Sequence, residues 1–188
     1  MEWTEIAGAL TGFLYVILEI RQKRVMWIVG ALSAILYMAV FFGSALYAAG
    51  ALQIYYLVVS IYGWKKWGAS EGGDMDREVT FRLSPRKALV TGAATGAGFL
   101  VIYLILSEFA NDPYPATDAL VAALSMLATW WVSGKHIEHW LLWIVADIIA
   151  ATLFFSQELY ATTALYVIYA IAAAAGYLHW RKFPRELK

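Results

Sequence analysis

Long apolar runs alternate with short polar breaks along the whole chain. Seven of them, each roughly 17 to 25 residues, are long enough to cross a bilayer as helices. They cover approximately 4–20, 25–42, 46–64, 87–107, 117–133, 139–155 and 159–180. Polar side chains inside the runs are few, so each one is a candidate for packing or chemistry.

The pattern occurs twice. Displaced by 113 residues and without a gap, Trp27 falls on Trp140, Phe41 and Phe42 on Phe154 and Phe155, and Tyr47 on Tyr160. Tyr56 likewise falls on Tyr169, Gly63 on Gly176 and Trp67 on Trp180. Apolar bias alone does not align Trp, Tyr and Gly at one offset, so the match outranks any local motif. The fourth run lies outside both copies. The expected fold is therefore an all-α integral membrane protein with seven transmembrane helices in a 3+1+3 order. Residues 1–67 form the first three-helix repeat, 68–86 a cytoplasmic linker and 87–107 a linker transmembrane helix; 114–180 form the second repeat and 181–188 a cytoplasmic tail. A single helix between two three-helix units returns the second to the orientation of the first. The repeats are thus expected to be parallel, as in the sugar transporters called SWEETs.

Composition agrees with a bilayer. The 188 residues are 62% hydrophobic and 15% charged, with mean hydropathy +0.62, whereas soluble domains average roughly 45–50% apolar. Net charge is zero and no basic run is interleaved with aromatics, which argues against a nucleic-acid partner. Cysteine is absent, so the redox compartment is open. Met1 to Glu5 lacks the basic start of a secretory signal, and the first run is expected to be a retained span with no extra segment before it. All 14 Lys and Arg fall in alternate breaks and the tail, from Arg21, Lys23 and Arg24 to Arg181 and Lys188. By the positive-inside rule that side is cytoplasmic, with the N-terminus outside and the C-terminus inside. The opposite loops carry acids only: Glu108, Asp112 and Glu158. Glu71-Gly72-Gly73-Asp74 marks the linker as flexible, and Gly92, Gly96 and Gly98 give the fourth helix a small-residue face for packing within or between chains.

Differences between the copies locate the candidate chemistry. Asp147 lies near the middle of the sixth run, about 12 Å from either end at 1.5 Å per residue, and its counterpart is Ala34. A central Asp costs about 2.5–3.5 kcal/mol in a membrane helix and persists only with a partner or a polar cavity. Trp143 precedes it by one turn and matches Gly30; Trp140 adds a second indole but matches Trp27, which suits an interfacial aromatic belt. Stacked indoles with an acid suit a flat cationic ring. On the third run Gln53, Tyr56, Ser60 and Trp64 share a stripe; Gln53 is replaced by Tyr166 and Ser60 by Ala173 in the second copy. Hydrogen bonding between helices explains Ser60 equally well and Gln53 less well. Ser125, Thr129, Ser33 and Tyr37 weigh less, since hydroxyls bond back to their own helix. Glu19, beside Arg21 and Lys23, reads as an interfacial ion pair. Glu5 and Asp118 suit helix N-termini. His136-Ile137-Glu138-His139 lacks the spacing of a zinc site, so no metal and no cofactor are expected.

Together these residues resemble the PnuC family of bacterial vitamin transporters. The resemblance rests on Gln53 to Trp67 (QIYYLVVSIYGWKKW), on Glu138 to Trp143 (EHWLLW) followed by Asp147, and on Gly176 to Trp180 (GYLHW). It covers essentially the whole chain. It implies uptake of nicotinamide riboside, or of thiamine or riboflavin in relatives, by facilitated diffusion. It also implies a homotrimer and trapping by a cytoplasmic kinase that phosphorylates the vitamin. Gln53, Trp140, Trp143 and Asp147 would line the substrate site, with Tyr56 and Ser60 beside Gln53. Nicotinamide riboside and thiamine both carry a cationic ring that Asp147 would offset; neutral riboflavin fits less well. The implied mechanism is rocking of the two three-helix units about the linker helix. No Walker glycine loop supports direct ATP drive. Of the rivals, a rhodopsin requires a lysine in the seventh run, which has none, and an intramembrane enzyme requires an ionisable companion for Asp147, which is not evident. A non-transporting structural membrane protein stays open.

Overall fold

The computed structural model describes residues 3–43, 47–69, 79–110, 113–183 and 185–187. Asp112, Lys188 and the Glu71-Gly72-Gly73-Asp74 part of the linker lie outside the described residues, as does the side chain of Glu5. Seven helices follow in order: α1 (Trp3–Ile20), α2 (Met26–Gly43), α3 (Tyr47–Ala69), α4 (Pro85–Phe109), α5 (Pro115–Ser133), α6 (His139–Ser156) and α7 (Tyr160–Trp180). By length and composition α2, α4, α5, α6 and α7 each suffice to cross a membrane. The described apolar part of α1 is the shorter Leu10–Ile20, and α3 is diluted by Gln53, its tyrosines and Lys65–Lys66. Large apolar side chains face outward, Leu89 at 74% and Phe109 at 82% exposure, as expected where lipid is the solvent.

Helix starts follow local chemistry. Pro85 opens α4 behind Ser84, whose hydroxyl oxygen accepts from the Lys87 amide at 3.4 Å, and Pro115 opens α5. A ring-locked φ and a missing N–H suit that first position.

The chain forms two compact units, Met1–Val79 and Thr80–Lys188. In the first, α2 lies between α1 and α3. Trp27 is 1% exposed and sits edge-on to Trp67, centroids 5.6 Å apart at 89°. Its indole occupies the space that a β-carbon on Gly63 would need. Arg24 lies over the Trp64 ring at 3.7 Å and donates from Nε to the Trp64 carbonyl at 2.9 Å.

In the second unit α4 to α7 pack in sequence. Trp140, 1% exposed, sits edge-on to Trp180 at 5.6 Å and 88°, against Gly176. Local geometry therefore recurs at the 113-residue offset: the bounds of α2 map onto those of α6, and the turns before them place Gln22 at φ 49° and Lys135 at φ 53°. α4 has no buried residue, and its contact with α5 includes a hydrogen bond from Trp131 Nε1 to Thr91 Oγ1 at 3.1 Å.

Linker and tail hold structure that the sequence pattern does not announce. α3 extends to Ala69, α4 begins at Pro85, and two short strands, β1 (Thr80–Arg82) and β2 (Arg185–Leu187), pair in parallel with Thr80 opposite Arg185. On its other side Phe81 donates to the Lys135 carbonyl at 3.0 Å and accepts from the Ile137 amide at 3.0 Å. Leu83 N donates to Glu138 Oε2 at 3.1 Å, and Thr80 Oγ1 to the Trp180 carbonyl at 3.5 Å. Buried amides and carbonyls must pair somewhere, and here the strand meets that need for the α5–α6 loop.

Candidate functional site

On α6 the residues His139, Trp143 and Asp147 follow at i, i+4 and i+8 and share one face. Asp147 is 6% exposed. Trp143 is partly exposed, and its buried Nε1 has no hydrogen-bond acceptor among the described residues. Trp140 is placed differently. It is enclosed by His139 (centroids 4.5 Å apart), Trp180 and Gly176, which makes it part of the packed interior of the second unit and not an interfacial belt. His139 is fully buried; its Nδ1 donates to the His136 carbonyl at 2.6 Å. His136 is drawn into the bridge with Phe81, so the two histidines serve the loop. Among the described residues no group of three potential metal ligands assembles.

On α3 the residues Gln53, Tyr56 and Ser60 lie on one face of the first unit. Ser60 is 4% exposed, and neither it nor Gln53 has a hydrogen-bond partner among the described residues. That sets Ser60 apart from Thr91, Thr95, Thr129, Ser133, Thr152, Ser156 and Thr163, whose hydroxyls donate to a carbonyl three or four residues back. Thr129 satisfies itself on Ser125 in this way, at 2.8 Å.

The two units carry different side chains around the position of Gly30. A β-carbon on Gly30 would lie 3.1 Å from Ser60 Oγ and 3.1 Å from Tyr15 Cε2. At the matching positions of the second unit stand Trp143, Ala173 and Ala128, the two alanines 2% and 0% exposed.

Glu19 lies deeper than an interfacial position suggests: it is 1% exposed, within electrostatic reach of Tyr15, while its neighbours Arg21 and Lys23 are exposed. Gln22 is also buried, at 8% exposure. Sequence reasoning passed over Tyr15 and Gln22. The signal lay in the same comparison of copies, where Tyr15, Glu19 and Gln22 are matched by Ala128, Val132 and Lys135.

A buried carboxylate one turn from an indole can offset and stack a flat cation. Along its whole length the chain is similar to known transporters. The sequence profile of the nicotinamide mononucleotide transporter family matches residues 2–182. The nicotinamide riboside transporter PnuC of Escherichia coli K12 is 24% identical over 99% of this chain and 88% of its own length. The riboflavin/roseoflavin transporter RibM of Streptomyces davaonensis is 25% identical over 95% of this chain and 84% of its own. A crystal structure of the vitamin B3 transporter PnuC superposes with TM-score 0.71 at 24% identity, covering 93% of this chain and 79% of that one. The fold is shared.

Proposed function

The chain belongs to the nicotinamide mononucleotide transporter family and is a multi-pass membrane transporter, not an enzyme; we propose that it takes up a vitamin with a cationic aromatic ring, nicotinamide riboside before thiamine. The observation that carries this reading is the buried Asp147 one turn from Trp143, a pair with no counterpart at Ala34 and Gly30. Trp143 stacks the ring and Asp147 offsets its charge. Gln53, Tyr56 and Ser60 on the first unit offer hydrogen bonds to hydroxyl or amino groups. Trp140 shapes the base of the α6 stripe. A neutral flavin, the substrate named for the RibM relative, carries no charge for Asp147 to offset.

Transport is by facilitated diffusion, and phosphorylation by a cytoplasmic vitamin kinase retains the product. The basic breaks face the cytoplasm, with the N-terminus outside and the C-terminus inside. The chain acts as a homotrimer. A β-carbon on Gly92 or Gly96 would meet nothing within 4 Å, which supports α4 as an intersubunit surface. The linker 68–86, which contains β1, lies on the cytoplasmic side with the tail 181–188.

The test is a thermal-shift panel on purified protein with nicotinamide riboside, thiamine and riboflavin. Nicotinamide riboside is expected to give the largest shift, and Asp147→Asn to abolish most of it. A shift with riboflavin alone, or an undiminished shift in the Asn variant, would remove the charge-offsetting role.

A further inference from the structure

The first unit holds polar side chains beyond the stripe on α3. Tyr15 and Glu19 follow at i and i+4 on one face of α1, and Gln22 stands in the turn after it, its backbone amide donating to the Glu19 carbonyl at 2.9 Å. Tyr15 packs with Ser60 against Gly30 and is within electrostatic reach of Glu19 and of Tyr56. A column of polar groups therefore runs from the α3 stripe of Gln53, Tyr56 and Ser60, through Tyr15, to Glu19, with Gln22 in the turn that follows. The second unit has no such column: Tyr15, Glu19 and Ser60 are matched there by Ala128, Val132 and Ala173, all buried. The fold plainly builds this bundle without it.

Gln22 carries the argument. Its side chain is 8% exposed, and both Oε1 and Nε2 are buried without a hydrogen-bond partner among the described residues. An amide buried in this way loses its hydration and gains nothing in return. The turn does not demand it, because Lys135 adopts the same left-handed backbone, φ 53° against 49°. Such a group is retained where a ligand completes it. Two N–H donors and an acceptor oxygen on the amide, with a carboxylate and a phenol one and two turns back along the chain, suit a cation that also bears hydroxyl or carboxamide groups.

We propose that Tyr15, Glu19 and Gln22 form a second, inner station on the first unit, which the vitamin occupies on its way to the cytoplasmic face. This rests on the cationic substrate proposed above. Glu19 takes over the offset of ring charge, and Gln22 pairs with the hydroxyl or carboxamide. A station of this kind acts on passage and not on the resting affinity of the Trp143–Asp147 stripe.

The experiment measures equilibrium binding by calorimetry and uptake into proteoliposomes for three variants. Gln22→Lys copies the second unit's residue on the same turn, Glu19→Gln removes the charge, and Tyr15→Phe keeps the ring against Gly30 and so guards against a folding defect. Affinity is expected to stay within about twofold of wild type while uptake falls about tenfold, the loss for one charge-assisted hydrogen bond. Trp143→Ala, by contrast, should lose both. Uptake within twofold of wild type in all three variants would overturn the station. So would binding, uptake and melting temperature falling together, which is the mark of a structural cluster. If wild-type protein carries none of the cationic vitamins, the substrate reading falls; if it carries one and the variants carry it equally, only the inner station falls.

Discussion

Trp140 and Gly176 are in such close contact that a β-carbon on residue 176 would lie 2.6 Å from two atoms of the indole. The first unit repeats the arrangement with Trp27 and Gly63. Glycine is needed here for close approach, since the backbone of α7 is ordinary helix. Gly176→Ala is therefore expected to destabilise the protein by about 1–3 kcal/mol through overpacking. Thermal melting in detergent checks it, and Gly63→Ala should behave alike. Adding Trp140→Phe should recover part of the loss, because neighbouring substitutions couple.

The same contact explains how much was legible in the sequence. Trp, Gly and Tyr at one offset mark the scaffold because each has a steric duty that few residues can meet, and the apolar runs place the helices to within a few residues. The strand pair was not legible. Thr80 and Arg185 lie far apart in sequence, each strand is three residues long, and nothing local in either segment signals a partner. The depth of Glu19 was not legible for a related reason: burial is decided by what packs against α1 and not by the sequence neighbours Arg21 and Lys23, and the residue is 1% exposed. Asp147 was legible because a charge in mid-helix is costly wherever it points.

The linker strand gives a second test. The Phe81 and Ile137 amides each donate to a backbone carbonyl across β1 and the α5–α6 loop, at 3.0 Å. Both are expected to exchange hydrogen slowly in the native protein, with the protection of a cooperative unit and not of a solvated connector. Exchange as fast as in a peptide would show that β1 is not held against the loop.

Trp143 should separate from Trp140 by substitution. Both have a buried Nε1 without an acceptor among the described residues, so the indole N–H does not distinguish them. Packing does: Trp140 is 1% exposed between Gly176 and Trp180, and Trp143 is partly open. Trp143→Ala is expected to weaken binding of a cationic vitamin by about tenfold or more, the scale of a desolvated cation–π contact. Its effect on melting should be the smaller of the two. Trp140→Ala should cost about 3–5 kcal/mol of stability, and calorimetry with thermal melting resolves the pair.

Ser60 offers the sharpest separation of binding from folding. Its hydroxyl has no partner among the described residues, and Ala173 fills the matching place in the second unit at 2% exposure, so the bundle accepts alanine there. Ser60→Ala is expected to change stability by less than about 0.5 kcal/mol, because no hydrogen bond is lost and a buried polar group is removed. Affinity for a hydroxyl-bearing vitamin should fall between about twofold and tenfold, the range of one neutral hydrogen bond. A ligand analogue lacking the hydroxyl that Ser60 meets should bind wild type and variant equally. If the variant instead melts markedly lower and binds unchanged, Ser60 serves the contact with Gly30 and Tyr15 and not the substrate.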